Sequence, residues 1–447
     1  MSVPPWLRRP DDVNALVPAL WPANVRRDAG GALSVDGVGV DSIAATYGTP
    51  AYVLDEADMR ARCRAFRDAF APATVYYAGK AFLSKAIVRI VNDEGLSLDV
   101  CSGGELATAL AAGMPPERIG LHGNNKSVSE LTRAVDAGVG RIIVDSFDEI
   151  DRLTTIARAK GVTPRIMLRL TVGVEAHTHE YIATAHEDQK FGFSVAGGAA
   201  AAAANKVISE GILELRGFHS HIGSQIFDTG GFEVAAHRVL ALVTQIRDEH
   251  GVTLPELDLG GGFGIAYTTQ DHPATASELA DGISTIVASE CAAAGLDVPH
   301  LSFEPGRAII GPSMFTLYEV GTVKDVSGIR TYVSVDGGMS DNIRSALYGA
   351  AYSATVASRS SDAGPILARV VGKHCESGDI LVKDEFLPGD VRPGDLLAVP
   401  GTGAYARSMA NNYNHVPRPP VLSVFDGEVR VIMRRETEDD LLALDVG

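Results

Sequence analysis

Residues 75–104 read VYYAGKAFLSKAIVRIVNDEGLSLDVCSGG, and this stretch contains the unit that decides the fold. An apolar strand runs into a loop of polar residues and glycine, a helical pattern follows, and the next apolar strand begins. The same order recurs up to about residue 312. The predicted strands are Val75–Tyr77, Leu98–Val100, Ile119–Leu121, Ile142–Val144, Ile166–Leu168, Leu215–Phe218, Leu257–Leu259 and Leu301–Phe303.

Eight successive strand–helix units favour a (β/α)8 TIM barrel. The first five strands begin about 21 to 24 residues apart, which is the length of a strand, a helix and two turns. A doubly wound sheet is the alternative, although such a sheet usually has fewer strands. Because the catalytic residues of a TIM barrel follow the carboxyl ends of its strands, the residues after each predicted strand are the candidates for a site.

Beyond residue 312 the pattern changes to short strands separated by turn signals, which predicts an all-β domain, a sandwich or a Greek-key barrel, over residues 313–447. The segment 1–50 contains a strand-like piece, Gly30–Val40, and we assign it to the β domain because a barrel seldom needs such a leader. The barrel is then expected over residues 51–312. The predicted strands of the β domain are Val320–Val326, Thr331–Val335, Ala368–Val371, Leu396–Val399, Val421–Phe425 and Glu428–Met433.

The composition excludes several classes of partner. With 447 residues the chain is expected to form two or three domains, and 39 basic against 56 acidic side chains give a net charge of −17, which disfavours nucleic acid and membrane surfaces. No run of 18 apolar residues is present, and the N-terminus lacks the apolar region of a secretory signal. The four cysteines lie far apart, so zinc and disulfide frameworks are not expected and a reducing cytoplasm is.

Polar and glycine-rich residues follow six of the eight predicted strands, beginning with Lys80 after the first. The loop Gly260–Gly264 after the seventh strand allows backbone N–H groups to approach an anion without obstruction by a Cβ atom. Phosphate sites of TIM barrels often use the loops after the last two strands, so a monophosphate ester is the predicted ligand. Ile265 stands where a dinucleotide fingerprint needs its third glycine, and a plain tight turn remains the alternative for this loop taken alone.

Five motifs follow one another along the chain: Tyr77–Ala81 (YAGKA), His219–Gln225 (HSHIGSQ), Gly260–Gly264 (GGGFG), Glu304–Arg307 (EPGR) and Cys375–Asp379 (CESGD). Together they resemble the fold-type III pyridoxal-phosphate decarboxylases, and within that family the diaminopimelate decarboxylases of the actinobacterial type. The resemblance covers nearly the whole chain. It implies an alanine-racemase-like barrel followed by a β domain, pyridoxal 5'-phosphate as cofactor, and a homodimer with shared active sites. The implied reaction converts meso-2,6-diaminopimelate to L-lysine and CO₂, the last step of lysine biosynthesis.

The resemblance also implies a role for three residues around the cofactor ring. Lys80 matches the lysine that holds the cofactor as a Schiff base, and His221 matches the imidazole that stacks on the pyridine ring. Glu304 matches the carboxylate that faces the pyridine nitrogen. An anion at that place favours the protonated ring, which withdraws electrons. Alanine racemases of the same fold have a cation there, so Glu304 indicates decarboxylation rather than racemisation.

The remaining implied site residues lie in both predicted domains. Cys375 matches the proton donor, which family dimers supply from the second subunit. An arginine fork suits a carboxylate and Glu376 suits an ammonium group, as a substrate with an amino acid group at each end requires. The other implied cofactor contacts are Ser224, Gly262, Gly306, Arg307 and Tyr405. The implied substrate contacts are Arg307, Arg344, Tyr348, Glu376 and Tyr405.

Several alternatives stay open. Another basic amino acid decarboxylase of the same fold, acting on ornithine or arginine, is the nearest, followed by a racemase and by a cofactor-free regulator. The segment Gly173–Phe193 contains three histidines in a spacing that only weakly suggests a metal, so no metal is expected and a mobile loop covering the site is preferred. Asp99 and His122 also end predicted strands, and we expect them to support the cofactor indirectly.

Overall fold

A computed structural model describes residues 3–4, 7–174 and 189–447 of the chain. The structure divides into two compact units. The first, which we call the barrel unit, comprises Arg62–Gly264 and Pro273–Ala308. The second, the sheet unit, comprises Met1–Ala61, Ile265–His272 and Ile309–Gly447.

Within the described residues the barrel unit contains eight parallel strands that close into a ring, because the first strand pairs with both the second and the eighth. Most residues of these strands are buried, as expected for a parallel sheet covered by helices. All eight strands predicted from the sequence are present, so the TIM barrel prediction is confirmed. The strands are Thr74–Ala78, Ser97–Val100, Ile119–Leu121, Arg141–Val144, Arg165–Thr171, Glu214–Ser220, Glu256–Gly261 and His300–Glu304.

The barrel helices begin and end at residues that satisfy their terminal backbone groups. Ser127 and Glu130 form a reciprocal capping box at the start of one helix, and Gly161 ends the next in a left-handed conformation. The alanine-rich segment predicted as a helix forms one. The helices are Lys85–Asp93, Gly103–Ala111, Val128–Ala137, Phe147–Lys160, Ala199–Glu210, Gly230–His250 and Ala276–Ala294; short elements are Gly79–Ala81, Pro116–Arg118, Phe193–Ser194 and Arg307–Ile310.

The sheet unit is built on the long strand Met314–Val326, which pairs with strands on both sides. All six strands predicted for this region are present. The strand Ile380–Pro388 was not predicted, because the charged run 383–385 interrupts its apolar pattern. The other elements of this region are Arg330–Val335, Arg344–Tyr348, Thr355–Val356, Pro365–Val371, Leu396–Pro400, Ala406–Met409, Tyr413–His415, Val421–Phe425, Glu428–Met433 and Glu438–Leu442.

The N-terminal segment shares a hydrophobic core with these strands. The Trp21 ring lies 6.1 Å from that of Phe315, and the Leu33 amide donates to the Ala357 carbonyl at 2.7 Å. Its elements are Val25–Arg27, Leu33–Val35, Val38–Gly39, the helix Val40–Tyr47 and the strand Ala51–Asp55. The next helix, Glu56–Ala69, begins in the sheet unit and ends in the barrel unit, which starts at Arg62.

The strand Ala51–Asp55 changes the boundary expected at residue 50. It pairs with Met314–Val326 on one side and with Val421–Phe425 on the other, so it belongs to the sheet unit. Its apolar sequence followed by a helix resembles a barrel unit, and only the long-range pairing distinguishes the two. The expected second boundary, at residue 312, lies a few residues after the observed end of the barrel unit at Ala308.

Candidate active site

A cavity of about 310 Å³ opens in the barrel unit among residues at the carboxyl ends of the strands. Lys80 lines it from the short turn Gly79–Ala81, directly after the first strand. A Cβ atom on Gly79 would lie 2.7 Å from the Asp99 carbonyl oxygen, so glycine permits this close turn. The lining residues are Ala78, Gly79, Lys80, Asp99, Cys101, His122, Gly123, Asn124, Arg169, Phe191, His219, His221 and Glu304.

His221 enters the cavity from the loop that follows the sixth strand. Its Nδ1 atom accepts a hydrogen bond from the Gly261 amide at 3.4 Å, which links the ring to the glycine-rich loop. Burial, with the nearby Lys80 charge as the next cause, holds the pKa of His221 well below its usual value. The imidazole is therefore neutral and offers a flat, uncharged face.

Glu304 is the last residue of the eighth strand and is buried. Its Oε1 atom lies 3.1 Å from Nε2 of His219 and 3.3 Å from Nε2 of His122. Among the described residues, however, that oxygen has no hydrogen bond of good geometry. A buried carboxylate oxygen without such a bond is costly unless a cationic donor satisfies it.

The two histidines beside Glu304 carry no positive charge at neutral pH. Burial lowers the pKa of His122 and of His219 to about 3 in each case. Burial raises the pKa of Glu304, and the Asp99 carboxylate adds to the rise, while the charges of Arg141 and Lys80 oppose it. The carboxylate thus needs a positive partner to remain ionised, and a protonated pyridine nitrogen is a partner of that kind.

These three side chains also place a carboxylate oxygen and two imidazole nitrogens within 4.8 Å of one another, a spacing compatible with a metal ion. Arg141 lies 3.9 Å from the same Glu304 oxygen, so a fixed positive charge already stands beside this carboxylate. A single buried carboxylate oxygen without a hydrogen bond is the acceptor that a pyridine N–H requires, so the arrangement fits that group.

Four of the residues predicted to hold a phosphate, Ser224, Gly262, Gly306 and Arg307, make close contacts in the barrel unit. Arg307 donates to the Ser224 hydroxyl oxygen at 2.8 Å. Gly262 has a φ of +95°, and a Cβ atom there would lie 2.2 Å from the Gly223 carbonyl oxygen, so the two loops approach as only glycine allows. A Cβ atom on Gly306 would lie 2.9 Å from Cβ of Ala78.

A family model of the pyridoxal binding domain of pyridoxal-dependent decarboxylases matches residues 56–311. The diaminopimelate decarboxylase of Mycobacterium tuberculosis (strain ATCC 25618 / H37Rv) is 57% identical over 440 residues, which cover 96% of this chain and 98% of that protein. The chain belongs to the diaminopimelate decarboxylase family.

Two further members extend this comparison. The diaminopimelate decarboxylase of Bacillus subtilis (strain 168) is 48% identical over 425 residues, covering 94% of this chain and 97% of that protein. The crystal structure of the M. jannaschii diaminopimelate decarboxylase in complex with L-lysine superimposes with a TM-score of 0.89 at 31% identity, covering 96% of this chain and 99% of that one. The family fold therefore extends over both units of the chain.

The sheet unit contains the other residues that the family resemblance implies. Arg344 is buried at the start of the helix Arg344–Tyr348, donates to the Tyr352 hydroxyl at 2.6 Å, and lies 4.9 Å from the centre of the Tyr267 ring. Tyr348 is half-buried at the other end of that helix. Tyr405 has a left-handed φ of +65° and precedes a short helix.

Cys375 and Glu376 are exposed at the tip of a loop whose base is held firmly. The Asp379 carboxylate accepts backbone N–H groups from His374 at 2.8 Å and from Met339 at 2.6 Å. The His374 ring lies 2.8 Å from the Ser340 hydroxyl. The Cys375 thiol and the Glu376 carboxylate are therefore exposed on a loop whose base is held by hydrogen bonds.

Several residues of the cavity were not predicted. His219 and Arg169 line it, and Arg141 and Asp258 lie beneath it. A signal for His219 was present, because residues two apart on a strand face the same side and His221 was already a candidate. The weaker signal for Arg141 and Asp258 was a charged residue within an apolar strand.

The histidines His177, His179 and His186 lie outside the described residues, so the interpretation of their loop stays a prediction. The described end of that segment does reach the site: Phe191 lines the cavity, and the Gly192 amide donates to the Asp145 carboxylate at 2.7 Å. Among the described residues, no helix is both long enough and apolar enough to cross a membrane.

Proposed function

We propose that this chain decarboxylates meso-2,6-diaminopimelate to L-lysine and CO₂ with pyridoxal 5'-phosphate bound in the barrel cavity. The observation that carries the proposal is the buried Glu304 oxygen without a well-formed hydrogen bond, in one cavity with Lys80 and His221. Family membership supports the same reaction, since the relatives that cover nearly the whole chain are named diaminopimelate decarboxylases. The cytoplasm, as the site of the last step of lysine biosynthesis, is part of the proposal.

When bound, pyridoxal phosphate withdraws the electrons released as the bond to the scissile carboxylate breaks. Lys80 would hold the group covalently, the neutral His221 ring would lie against its face, and Glu304 would keep its nitrogen protonated. The proposed phosphate contacts are Ser224, Gly262, Gly306, Arg307 and Tyr405. The close approach at Gly262 and the hydrogen bond from Arg307 to Ser224 support a preformed anion site.

The substrate is proposed to bind through charged groups at its far end. Arg307 and Arg344 suit a carboxylate, Glu376 suits an ammonium group, and Tyr348 and Tyr405 complete the contacts. Arg344 is already held by Tyr352 and by the Tyr267 ring, so little side-chain freedom is lost when it binds an anion.

Cys375 is proposed as the acid that delivers a proton to the carbon from which CO₂ has left. Its exposure on a firmly supported loop suits a residue that acts in the active site of a second copy, so we propose a homodimer with two shared sites. Lys80 and Cys375 are thus the proposed catalytic residues, contributed by different chains.

Carbon dioxide release from meso-diaminopimelate, ornithine, arginine and L-lysine by the purified holoenzyme tests the proposed substrate. We expect turnover of meso-diaminopimelate alone, and loss of that turnover in Lys80→Ala. Equal or faster turnover of ornithine or arginine would show that the distal charges of the site have been misassigned. Protein that stays colourless and inactive with added pyridoxal phosphate would contradict the proposal as a whole.

A further inference from the structure

A charged group lies inside the barrel directly beneath Glu304. Arg141, the first residue of the fourth strand, is only 2% exposed. Its guanidinium forms an ion pair with Asp258, donates to the Ser302 hydroxyl at 3.0 Å, and lies 3.8 Å from the centre of the Tyr76 ring. One of its nitrogens is also 3.9 Å from Oε1 of Glu304. Arg141 thus lies close to Glu304, the carboxylate proposed to face the cofactor, although Arg141 does not line the cavity.

The carboxylates and imidazoles around Glu304 do not favour its ionised form. Asp99 and Asp258 are carboxylates, and the pKa of each is raised by burial. His122 and His219 are neutral at pH 7, as described above. The ionisable groups that face Glu304 from the surrounding strands and loops are Lys80, Asp99, Cys101, His122, Arg141, Arg169, His219 and Asp258.

The other cations in this set have different partners. Arg169 lies 3.9 Å from the Asp145 carboxylate and stacks on the Phe191 ring at 4.3 Å. Lys80 is the residue proposed to bind the cofactor, so its ammonium group is consumed when the enzyme is loaded. Arg141 keeps its charge under all conditions, because a guanidinium does not lose its proton in a protein.

We infer that Arg141 is a positioning residue for the decarboxylation: it acts through Glu304, keeping that carboxylate ionised and oriented toward the pyridine nitrogen of the cofactor. The inference rests on the proposed role of Glu304. Removing the guanidinium would leave Glu304 among carboxylates and neutral imidazoles, where the protonated acid is the favoured form. A protonated Glu304 would no longer stabilise a protonated pyridine, although the cofactor could still be held by Lys80 and the phosphate loops.

The neighbouring strand offers a matched control. Arg165 begins the fifth strand as Arg141 begins the fourth, and the next residues, Ile142 and Ile166, are paired in register. Arg165 is exposed and lies 3.6 Å from Glu214 at the surface. A substitution at Arg165 therefore removes an arginine from the same position of a barrel strand but leaves Glu304 unaffected.

The test compares Arg141→Gln and Arg141→Lys in the holoenzyme. Both lose the guanidinium fork, but only lysine keeps the charge. Protonation of the ring is read from the nitrogen-15 chemical shift of ring-labelled pyridoxal phosphate across the pH range, and kcat is measured alongside. In Arg141→Gln we expect the nitrogen to lose its proton at a pH at least about one unit lower, and kcat near neutral pH to fall about tenfold or more, with KM nearly unchanged.

Arg141→Lys and Arg165→Gln should keep the wild-type titration of the ring nitrogen. The inference is overturned if Arg141→Gln titrates like wild type, or if Arg141→Lys shifts the titration as far as Arg141→Gln does. Glu304→Gln distinguishes an error in the proposed role of Glu304 from an error in the inference about Arg141. If it leaves the ring protonated, the proposed role of Glu304 is wrong. If it removes the proton while Arg141→Gln does not, only the inference about Arg141 fails.

Arg141→Gln leaves the buried Asp258 without its ion-pair partner, so of these variants it is the one expected to lose the most stability. Should it fail to fold, Asp258→Asn is compared with Asp258→Asn/Arg141→Gln. The Asp258 side chain accepts a hydrogen bond from the Gly260 amide at 2.7 Å, and the amide oxygen introduced by Asp258→Asn can still accept it. The double variant is expected to lose ring protonation relative to Asp258→Asn. Equal titration of the two would overturn the inference.

Discussion

The close approach of two loops at Gly262 gives a prediction about cofactor binding. In Gly262→Ala, the new methyl group would lie 2.2 Å from the Gly223 carbonyl oxygen and 2.9 Å from Cδ1 of Ile226. Ordinary contact requires the loops to separate by about 1 Å. Gly223 precedes Ser224, so the displacement acts directly on two of the proposed phosphate contacts.

Two costs follow from this geometry. Alanine at a φ of +95° is strained, and a residue with a Cβ in the left-handed region costs about 1–2 kcal/mol of folding stability. Loss of one charge-assisted hydrogen bond to the phosphate costs about 1.5–3 kcal/mol, which is roughly 10- to 150-fold in the dissociation constant of pyridoxal phosphate.

Equilibrium dialysis of the apoenzyme against pyridoxal phosphate measures the dissociation constant, and thermal unfolding measures the stability. Gly251→Ala is the matched control: it has a φ of +67° at the end of a helix, and nothing lies within 4 Å of the added methyl group. It should lose about 1 kcal/mol of stability and bind the cofactor normally. If Gly262→Ala bound pyridoxal phosphate as tightly as Gly251→Ala, the loop would not be the phosphate site.

Three further predictions concern the shared site, the thiol loop and the buried histidines. Mixing inactive Lys80→Ala and Cys375→Ala chains should restore about a quarter of wild-type CO₂ release. Half of the randomly paired dimers contain one chain of each kind, and each such dimer has one intact site out of two. No recovery of activity would indicate that each site is built from one chain. Each carboxylate oxygen of Asp379 accepts one backbone N–H group, and Asp379→Asn replaces one of these two oxygens by an NH₂ group. This variant should lose about 1–2 kcal/mol of stability, lower kcat about tenfold and change the rate at which iodoacetamide alkylates Cys375. An unchanged alkylation rate would mean that Asp379 does not position the loop. The pKa of His122 and of His219 is about 3 when folded, so each contributes stability that is present above pH 6.5 and lost as the pH falls toward 3, by up to about 1.4 kcal/mol per pH unit. The urea midpoint of His122→Asn should therefore depend less steeply on pH between 4 and 6 than that of wild type, and equal slopes would contradict a neutral buried imidazole.

The strand pattern predicted the barrel because parallel strands covered by helices are apolar throughout and are followed by turn residues. The same reasoning missed Arg141 for a physical reason. The stretches RIIV at 141–144 and RIML at 165–168 are alike, yet one arginine is buried and the other exposed. Local pattern cannot distinguish them, since the difference arises from which residues the closed ring brings opposite each strand end.

The residues of the candidate site also fall into a group that the strand pattern could predict and a group that it could not. The residues after each strand could be predicted because the fold brings carboxyl ends of parallel strands to one face. Arg344, Tyr348, Tyr405, Cys375 and Glu376 could be proposed only from the family resemblance, because they lie in loops and short helices of the sheet unit with no periodic signal of their own. Their proposed roles depend on long-range placement and, for Cys375, on the proposed second copy.

The pairing of Ala51–Asp55 in the sheet unit has a consequence for the order in which the protein acquires its structure during synthesis. This strand leaves the ribosome early, but its first neighbour, Met314–Val326, is made about 260 residues later, and its second, Val421–Phe425, almost at the end. The barrel strands all lie between Thr74 and Glu304, so the ring can close while the early strand still lacks both neighbours. A truncated chain that ends near residue 310 and has left the ribosome should then contain a protease-resistant barrel and a protease-sensitive N-terminal segment, and only full-length chains should protect both.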